Sequence, residues 1–412
     1  MKENPIIEII IVGDEILADP GRDSNSRHIA GVLAGEGFDI AGIAVVGDRE
    51  EDIARVLTGA AGRADAVLVT GGLGPTSDDL TIPSAAKAFG LPLVLDEPSL
   101  REIEGFFRRR GRVMTESNRK QAMLPRGARA LGNTAGTAPG VLLEAEGTAF
   151  FFMPGVPFEM YGMLEREVLP YLREQFTPKP ITAAVVKVTG IGESALYDRI
   201  LGIPGVIETA RFYPGPHGIT VRIIAPADSG FQAAEISSAI REKTGHLVYA
   251  ASDRALEEVV GSLLIENGKT IAVAESCTGG LVADRLTDVP GSSRYFLMGV
   301  VAYSDESKRR ILGVGPDLIE AHGAVSGPVA AAMAEGIRRV SGADIGVSTT
   351  GIAGPGGGSA EKPVGLMYQS LSHEGGSITK KLQFGEKRRI NKDRMSQSVL
   401  DMVRYYVTGL ES

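Results

Sequence analysis

The chain opens with a mostly apolar run, Ile6–Val12, then a glycine-acidic turn and a stretch from Ser26 to Gly35 in which Ile29, Val32 and Leu33 recur at helical spacing. An apolar run over Ile40–Val46, a helical pattern near Glu50–Gly59, a third apolar run over Ala66–Val69 and a further glycine-rich turn follow. Strands alternating with helices predict a parallel sheet with helices on both faces, an α/β doubly wound domain over residues 1–176. Ligands in such sheets bind at the carboxyl ends of the strands, so the turns after Val12, Val46 and Val69 are the first places to look for chemistry.

The segment Thr177-Pro178-Lys179-Pro180 reads as a linker, because each proline keeps the residue before it out of the helical region. Residues 181–250 then carry strand patterns at Ile181–Val188 and Ile219–Pro226 and helical patterns near Glu193–Leu201 and Gln232–Thr244, a small α+β unit. A second boundary falls near Ala251–Arg254. The last block, 254–412, starts with a helix marked by Leu256, Val259, Val260, Leu263 and Leu264 that stops at Asn267-Gly268, and it returns to the α/β rhythm.

Composition narrows the chemistry. A net charge of −8 over 412 residues leaves no positive field to gather nucleic acid or an anionic membrane, which favours small-molecule ligands. The single cysteine, Cys277, excludes an intrachain disulfide and a cysteine-based zinc site. No run is long and apolar enough for a membrane span, and the first apolar run is too short for a signal sequence, so a cytoplasmic protein is expected.

In the last block the strand Thr270–Ala274 enters Glu275-Ser276-Cys277-Thr278-Gly279-Gly280 and then a helix, Leu281–Thr287. Such a turn offers a hydroxyl and several backbone amides to one oxygen, and it suits a phosphate cradle, a serine nucleophile beside an oxyanion hole, or a capped structural helix. A second turn, Thr349-Thr350-Gly351-Ile352-Ala353-Gly354-Pro355 and three further glycines, follows the strand Ile345–Ser348 and fits a backbone that approaches a ligand closely. Between them, after the apolar run Phe296–Ala302, stand Tyr303 and Lys308. A lysine kept neutral by burial can take a proton from a serine, and a phenol can relay it. Cys277 is the rival nucleophile, with a side chain expected to point away from that of Ser276.

Ala274–Gly280, Pro290-Gly291-Ser292-Ser293, Tyr303 with Lys308, His322–Ser326, and Thr350–Pro355 through Lys362-Pro363-Val364-Gly365 together resemble the CinA C-terminal domain, the nicotinamide mononucleotide deamidase. The resemblance implies Ser276 as nucleophile, Tyr303 and Lys308 as the activating pair, and Glu275, Thr278, Gly279, Gly280, Thr350, Gly351 and Gly354 around the substrate. It implies no cofactor for this domain. The substrate phosphate falls to Arg388, within Glu386-Lys387-Arg388, with Arg389 a competing candidate; Asn391 and Lys392 follow.

The first block carries Thr70-Gly71-Gly72-Leu73-Gly74-Pro75-Thr76-Ser77-Asp78-Asp79 after its third strand. Glycines, a hydroxyl and two acids at a helix start suit one phosphate on backbone amides and a divalent cation on a carboxylate, although the helix macrodipole alone also explains two acids there. With Gly13-Asp14-Glu15-Ile16-Leu17, Asp23-Ser24-Asn25-Ser26, Asp48, Thr137–Gly140 and Pro154–Met160, this block resembles the molybdopterin-binding fold of the CinA N-terminal domain. The resemblance implies ADP-ribose hydrolysis with Mg, Mn or Co, nucleotide contacts from Asn25, Gly71, Gly72, Gly74, Thr76, Pro154 and Gly155, and metal contacts from Asp78, Asp79, Asp48 and Asp14. It also implies a KH-type middle unit and a homodimer. The loop Gly202-Ile203-Pro204-Gly205 lacks the basic residues of a nucleic-acid clamp, so a spacer is the expected role of that unit. Two further readings stand beside this one: a molybdopterin-handling protein without hydrolase activity, and a DNA-associated competence factor.

Overall fold

The computed structural model describes residues 2–385 and 387–410, which leaves Glu386 outside the described residues. The chain divides into two compact units, Met1–Ile181 and Thr182–Ser412. Among the described residues no helix is long and apolar enough to cross a membrane.

In the first unit, strands β1 (Ile7–Val12), β2 (Ile40–Val46), β3 (Ala66–Thr70), β4 (Arg129–Leu131), β5 (Gly140–Ala145) and β6 (Thr148–Met153) form one sheet in the order β2-β1-β3-β6-β5-β4. Successive strand residues face opposite sides, and both sides are buried. Ile9, Ile11, Phe151 and Met153 pack on one side with Ile29 and Leu33 of helix α1 (Asn25–Gly35). Ile10, Val12, Phe150 and Phe152 pack on the other with Ile53 and Leu57 of α2 (Glu50–Ala60). That is why these strands read as apolar at nearly every position. The purely parallel sheet expected from the rhythm is corrected to a mixed one: β2, β1, β3 and β6 are parallel, while β5 runs antiparallel to β6 and to its other neighbour β4. The cause is local, since Glu146 (φ 51°) and Gly147 (φ 78°) close a two-residue hairpin between β5 and β6.

The second unit holds two sheets. Strands β7 (Ile181–Val188), β8 (Ala210–Gly215), β9 (Gly218–Pro226) and β10 (Val248–Ala250) lie in the order β8-β9-β7-β10, covered by Leu196 and Ile200 of α3 (Glu193–Ile200) and Ile236 and Ile240 of α4 (Ala233–Thr244). The edge strands β8 and β10 have no counterpart in the apolar pattern. β8 reads Ala-Arg-Phe-Tyr-Pro-Gly and is mostly exposed, and a proline is tolerated at such an edge.

The other sheet contains β11 (Ile271–Glu275), β12 (Phe296–Val301), β13 (Ile345–Gly351), β14 (Leu366–His373) and β15 (Gly376–Gln383) in the order β12-β11-β13-β14-β15. β11 is parallel to both neighbours, and the hairpin β14–β15 adds an antiparallel edge. Ile271 and Val273 face α5 (Leu256–Glu266), α6 (Leu281–Thr287) and the long α9 (Arg388–Thr408); Ala272 and Ala274 face α7 (Asp305–Leu312) and α8 (Gly327–Ser341). α8 lies so close to the sheet that a Cβ on Gly346 of β13 would stand 2.2 Å from the Ala334 carbonyl oxygen. By contrast, a Cβ on Gly59 in α2 meets nothing within 4 Å. Gly346→Ala is therefore expected to destabilise the protein by about 1–3 kcal/mol or more, and Gly59→Ala to stabilise it by roughly 0.4–1 kcal/mol. Urea denaturation followed by circular dichroism checks both, and a neutral Gly346→Ala refutes the close contact.

Candidate functional site

β11 and β13 run side by side, so their carboxyl ends bring the two turns of the second unit together. The Ser276 amide donates to the Thr349 carbonyl at 2.9 Å, and the Thr278 and Thr349 hydroxyls are 2.6 Å apart. Gly279 and Gly280 take φ of 66° and 98°, and this left-handed pair turns the chain from strand into α6. Ser276 is 9% exposed and Thr278 is fully buried.

Glu275 has a different task from the expected substrate contact. Its carboxylate, 1% exposed, accepts hydrogen bonds from the amides of Gly280 (3.0 Å), Val282 (3.1 Å) and Ala283 (2.8 Å). Those are the free amides of the α6 start, so the turn offers fewer backbone donors to a ligand than the sequence promised.

Lys308, in the first turns of α7, is 1% exposed, and burial pushes its pKa down despite Asp305 at 3.9 Å. The expected activating pair meets through the main chain: Lys308 Nζ donates to the Tyr303 carbonyl oxygen at 3.0 Å. The Tyr303 phenol instead accepts from Arg388 Nη2 at 3.2 Å, and the ring is 60% exposed. Arg388 Nη1 also donates to the Gly354 carbonyl at 3.0 Å, whereas Arg389 is exposed and pairs with Asp393 at 3.1 Å. Of the two arginines, Arg388 is the one brought to the glycine-rich loop.

Thr350 is buried and its hydroxyl donates to the Ala324 carbonyl at 2.8 Å. Gly351 has no room for a side chain, since a Cβ would lie 2.5 Å from Met367 Cγ. Cys277 packs with Ala353, Met367 and Met395, and burial pushes its thiol up to about 12. The thiolate needed for nucleophilic attack is therefore suppressed at neutral pH.

Three residues named beforehand only as members of motifs make contacts around the site. Asn391 Nδ2 donates to the carbonyls of Ala353 (3.0 Å) and Gly385 (2.8 Å), and Lys392 Nζ lies 3.4 Å from where a Cβ on Gly279 would stand. Both share a helix face with Arg388, at i+3 and i+4. Lys362 Nζ donates to the carbonyls of His322 (2.7 Å) and Val325 (2.9 Å) and ties down the glycine-rich loop.

The first unit has its own cleft, about 670 Å³, at the carboxyl ends of β1 and β3. Asn25, Gly71, Gly72, Gly74, Pro154, Gly155, Asp48, Asp78 and Asp79 line it; Thr76 and Asp14 are not part of the lining. Asn25 Nδ2 donates to Thr70 Oγ1 (3.0 Å) and the Gly155 carbonyl (2.9 Å), while the Thr70 hydroxyl donates to the Pro154 carbonyl (2.8 Å). Gly71, with φ 110°, passes so near β1 that a Cβ would meet the Val12 carbonyl oxygen at 2.0 Å. The Thr76 amide and hydroxyl donate to Asp79, and Lys120, unforeseen, donates to the carbonyls of Thr76 (2.7 Å) and Asp79 (2.6 Å).

The four acids do not act as one cage. The Asp14 amide donates to the Asp48 carboxylate (2.9 Å) and the Asp48 amide to that of Asp14 (3.3 Å). Asp78 is held below the usual carboxylate range by Thr76. Asp48 is pushed up by burial and by the charges of Asp14, Glu15 and Asp78, against the pull of the Asp14 amide. Among the described residues no three His, Cys, Asp or Glu side chains converge as metal ligands. The donor set thus fits a cation that draws most of its ligands from a bound phosphate and water, and it does not fit a protein-only cage.

Fold and sites define a two-unit α/β protein with a ligand cleft in the first unit and a serine turn at a strand end in the second. Residues 253–407 match the family described as "CinA C-terminal domain", and residues 8–174 match the "Probable molybdopterin binding domain". Competence-damage inducible proteins of Caldanaerobacter subterraneus and Acetivibrio thermocellus are 42% and 41% identical to the chain, over 98% of it and 98% and 99% of their own lengths. The crystal structure of the competence/damage inducible protein CihA from Agrobacterium tumefaciens, 36% identical, covers 39% of this chain and 99% of its own, with a TM-score of 0.36. The chain belongs to the CinA family.

If Cys277 is as inert as its surroundings imply, iodoacetamide at pH 8 leaves the native protein unmodified and alkylates the urea-unfolded chain stoichiometrically. Rapid alkylation of the native protein, read by intact mass, would refute that assignment.

Proposed function

We propose that the second unit hydrolyses the carboxamide of nicotinamide mononucleotide to nicotinate mononucleotide and ammonia, with Ser276 as nucleophile. The observation that carries this reading is the buried Lys308, whose environment favours the neutral amine, a few residues from the tyrosine that meets Arg388. In the first step Lys308 takes the Ser276 proton as the serine oxygen adds to the amide carbon. Collapse of the adduct breaks the C–N bond, and the proton returns from Lys308 to the leaving ammonia. Water, deprotonated by the same amine, then cleaves the acyl ester and restores the serine. Arg388 takes the substrate phosphate, with Tyr303 acting chiefly to orient its guanidinium. Glu275 holds the turn without touching substrate.

In this reading the first unit binds an adenylated pyrophosphate compound and cleaves ADP-ribose. A divalent cation bound there would neutralise phosphate charge. Asp48 and Asp78 are the residues that would hold it, and Gly71 and Gly72 let the backbone approach the phosphates. The relatives are named as competence-damage inducible proteins, but a net charge of −8 supplies no field for DNA.

Ammonia release from nicotinamide mononucleotide by the purified protein is the test. Ser276→Ala is expected to lose at least about 10³-fold in kcat/KM, and Lys308→Met about 10²–10⁴-fold. Because burial lowers the Lys308 pKa, activity should rise with pH along a limb centred below the ordinary lysine value of 10.5. Unchanged turnover in Ser276→Ala removes the serine from the mechanism.

Arg388→Ala is expected to raise KM for the mononucleotide roughly tenfold or more while leaving the nucleoside, which lacks the phosphate, unaffected. An equal effect on both substrates would count against the phosphate role. For the first unit, Asp78→Asn should abolish metal-dependent ADP-ribose hydrolysis. Tight pterin binding with no hydrolysis of either nucleotide would instead favour a cofactor-handling protein.

A further inference from the structure

We propose that the cleft between the β8–β9 turn and helix α9 is an oxyanion site, built on Arg285 and Gln397 with His217 and Lys187 beside them. It takes the phosphate or carboxylate of a small molecule and is separate from the Ser276 turn. The cleft measures about 270 Å³, room for an anionic group and part of the molecule that carries it. Arg285 and Gln397 both line it, at 6% and 3% exposure.

Their orientation is fixed by the protein. Arg285 Nη1 donates to Ser396 Oγ (2.8 Å), and Nη2 donates to Glu257 (2.6 Å) and to Gln397 Oε1 (2.8 Å). With the Gln397 oxygen engaged, its amide nitrogen is set apart as a donor. Among the described residues, Arg285 Nε and Gln397 Nε2 are buried without an acceptor. Native structures rarely leave two such donors unmet side by side, and what both lack is a lone-pair oxygen.

The rest of the lining agrees. Glu257 is the only acid in it; burial would raise its pKa, but the Arg285 guanidinium outweighs this and holds the carboxyl below its usual range. Burial pushes the Tyr249 phenol up to about 12, which keeps it protonated and able to donate. Burial and then the Arg285 charge push the His217 pKa down, against Asp393 and Glu257. Lys187 adds an ammonium already shared with Asp253 at 2.7 Å. Gln397 lies nine residues beyond Arg388 on α9, about 13 Å along the axis, which separates this cleft from the glycine-rich loop.

The test uses the full-length chain labelled with ¹³C-histidine, in which the His217 ring signal is the one missing from His217→Gln. Inorganic phosphate and acetate are titrated separately at constant ionic strength. Saturable movement of the His217 signal is expected with at least one of them; phosphate alone assigns the phosphate class and acetate alone the carboxylate class. Gln397→Glu keeps the acceptor for Arg285 but replaces the free donor with an anionic oxygen, and it should weaken the effect at least about tenfold. If a circular dichroism melt shows that this variant does not fold, Lys187→Met takes its place with the same expectation. Arg388→Ala should leave the titration unchanged. The proposal is overturned if neither anion moves the signal saturably, if the folded variant titrates like the wild type, or if Arg388→Ala abolishes the effect. The two donors would then be served by ordered water.

Discussion

A carboxylate that is 1% exposed stands at the end of β11, and three amide hydrogen bonds make its burial tolerable. An ionised group out of water is costly unless it is fully hydrogen-bonded, and the first turn of a helix presents free amides at the positive end of its dipole. Glu275 joins these two needs. It clamps the last residue of the strand to the first turn of α6, and the residues between them must bulge outward. Ser276 and Thr278 belong to that bulge, and their bonds to Thr349 hold it against the next strand. The serine turn therefore owes its shape to a carboxylate bound by main-chain amides.

Arg388 and Asn391 fix the opposite wall of the site. One guanidinium spans Tyr303 and Gly354, and one amide spans Ala353 and Gly385, so the start of α9 organises loops from distant parts of the chain. The first unit uses the same principle with a single asparagine. Asn25 bridges Thr70 at the end of β3 and Gly155 after β6, which sets the walls of its cleft. In both units a buried asparagine, whose amide nitrogen donates to main-chain and hydroxyl oxygens, gives glycine-rich loops a defined geometry.

Lys308 shows how burial and hydrogen bonding divide the work. Its nearly complete burial lowers the cost of the neutral amine, while the Tyr303 carbonyl holds the nitrogen in place. Cys277 shows the same preference for the uncharged form one residue from the serine, where its methionine-rich surroundings favour the protonated thiol, the unreactive form of a cysteine.

Local pattern alone specified much of this protein. Strands buried on both faces must be apolar throughout, so β1, β3, β11 and β13 stood out in the sequence, and the glycine turns after β3, β11 and β13 marked the ends of the sheets where the cleft and the serine turn lie. The hairpins β5–β6 and β14–β15 and the edge strands β8 and β10 did not stand out, because strand pairing is a long-range choice and exposed edges carry no strong apolar signal. The serine turn at Ser276 was readable from its residues. The use of the Glu275 carboxylate and the pairing of Tyr303 with Arg388 in place of the Lys308 amine were not. Each depends on which atoms meet across the folded chain, and a hydrogen bond between residues 85 positions apart leaves no trace in the spacing of either.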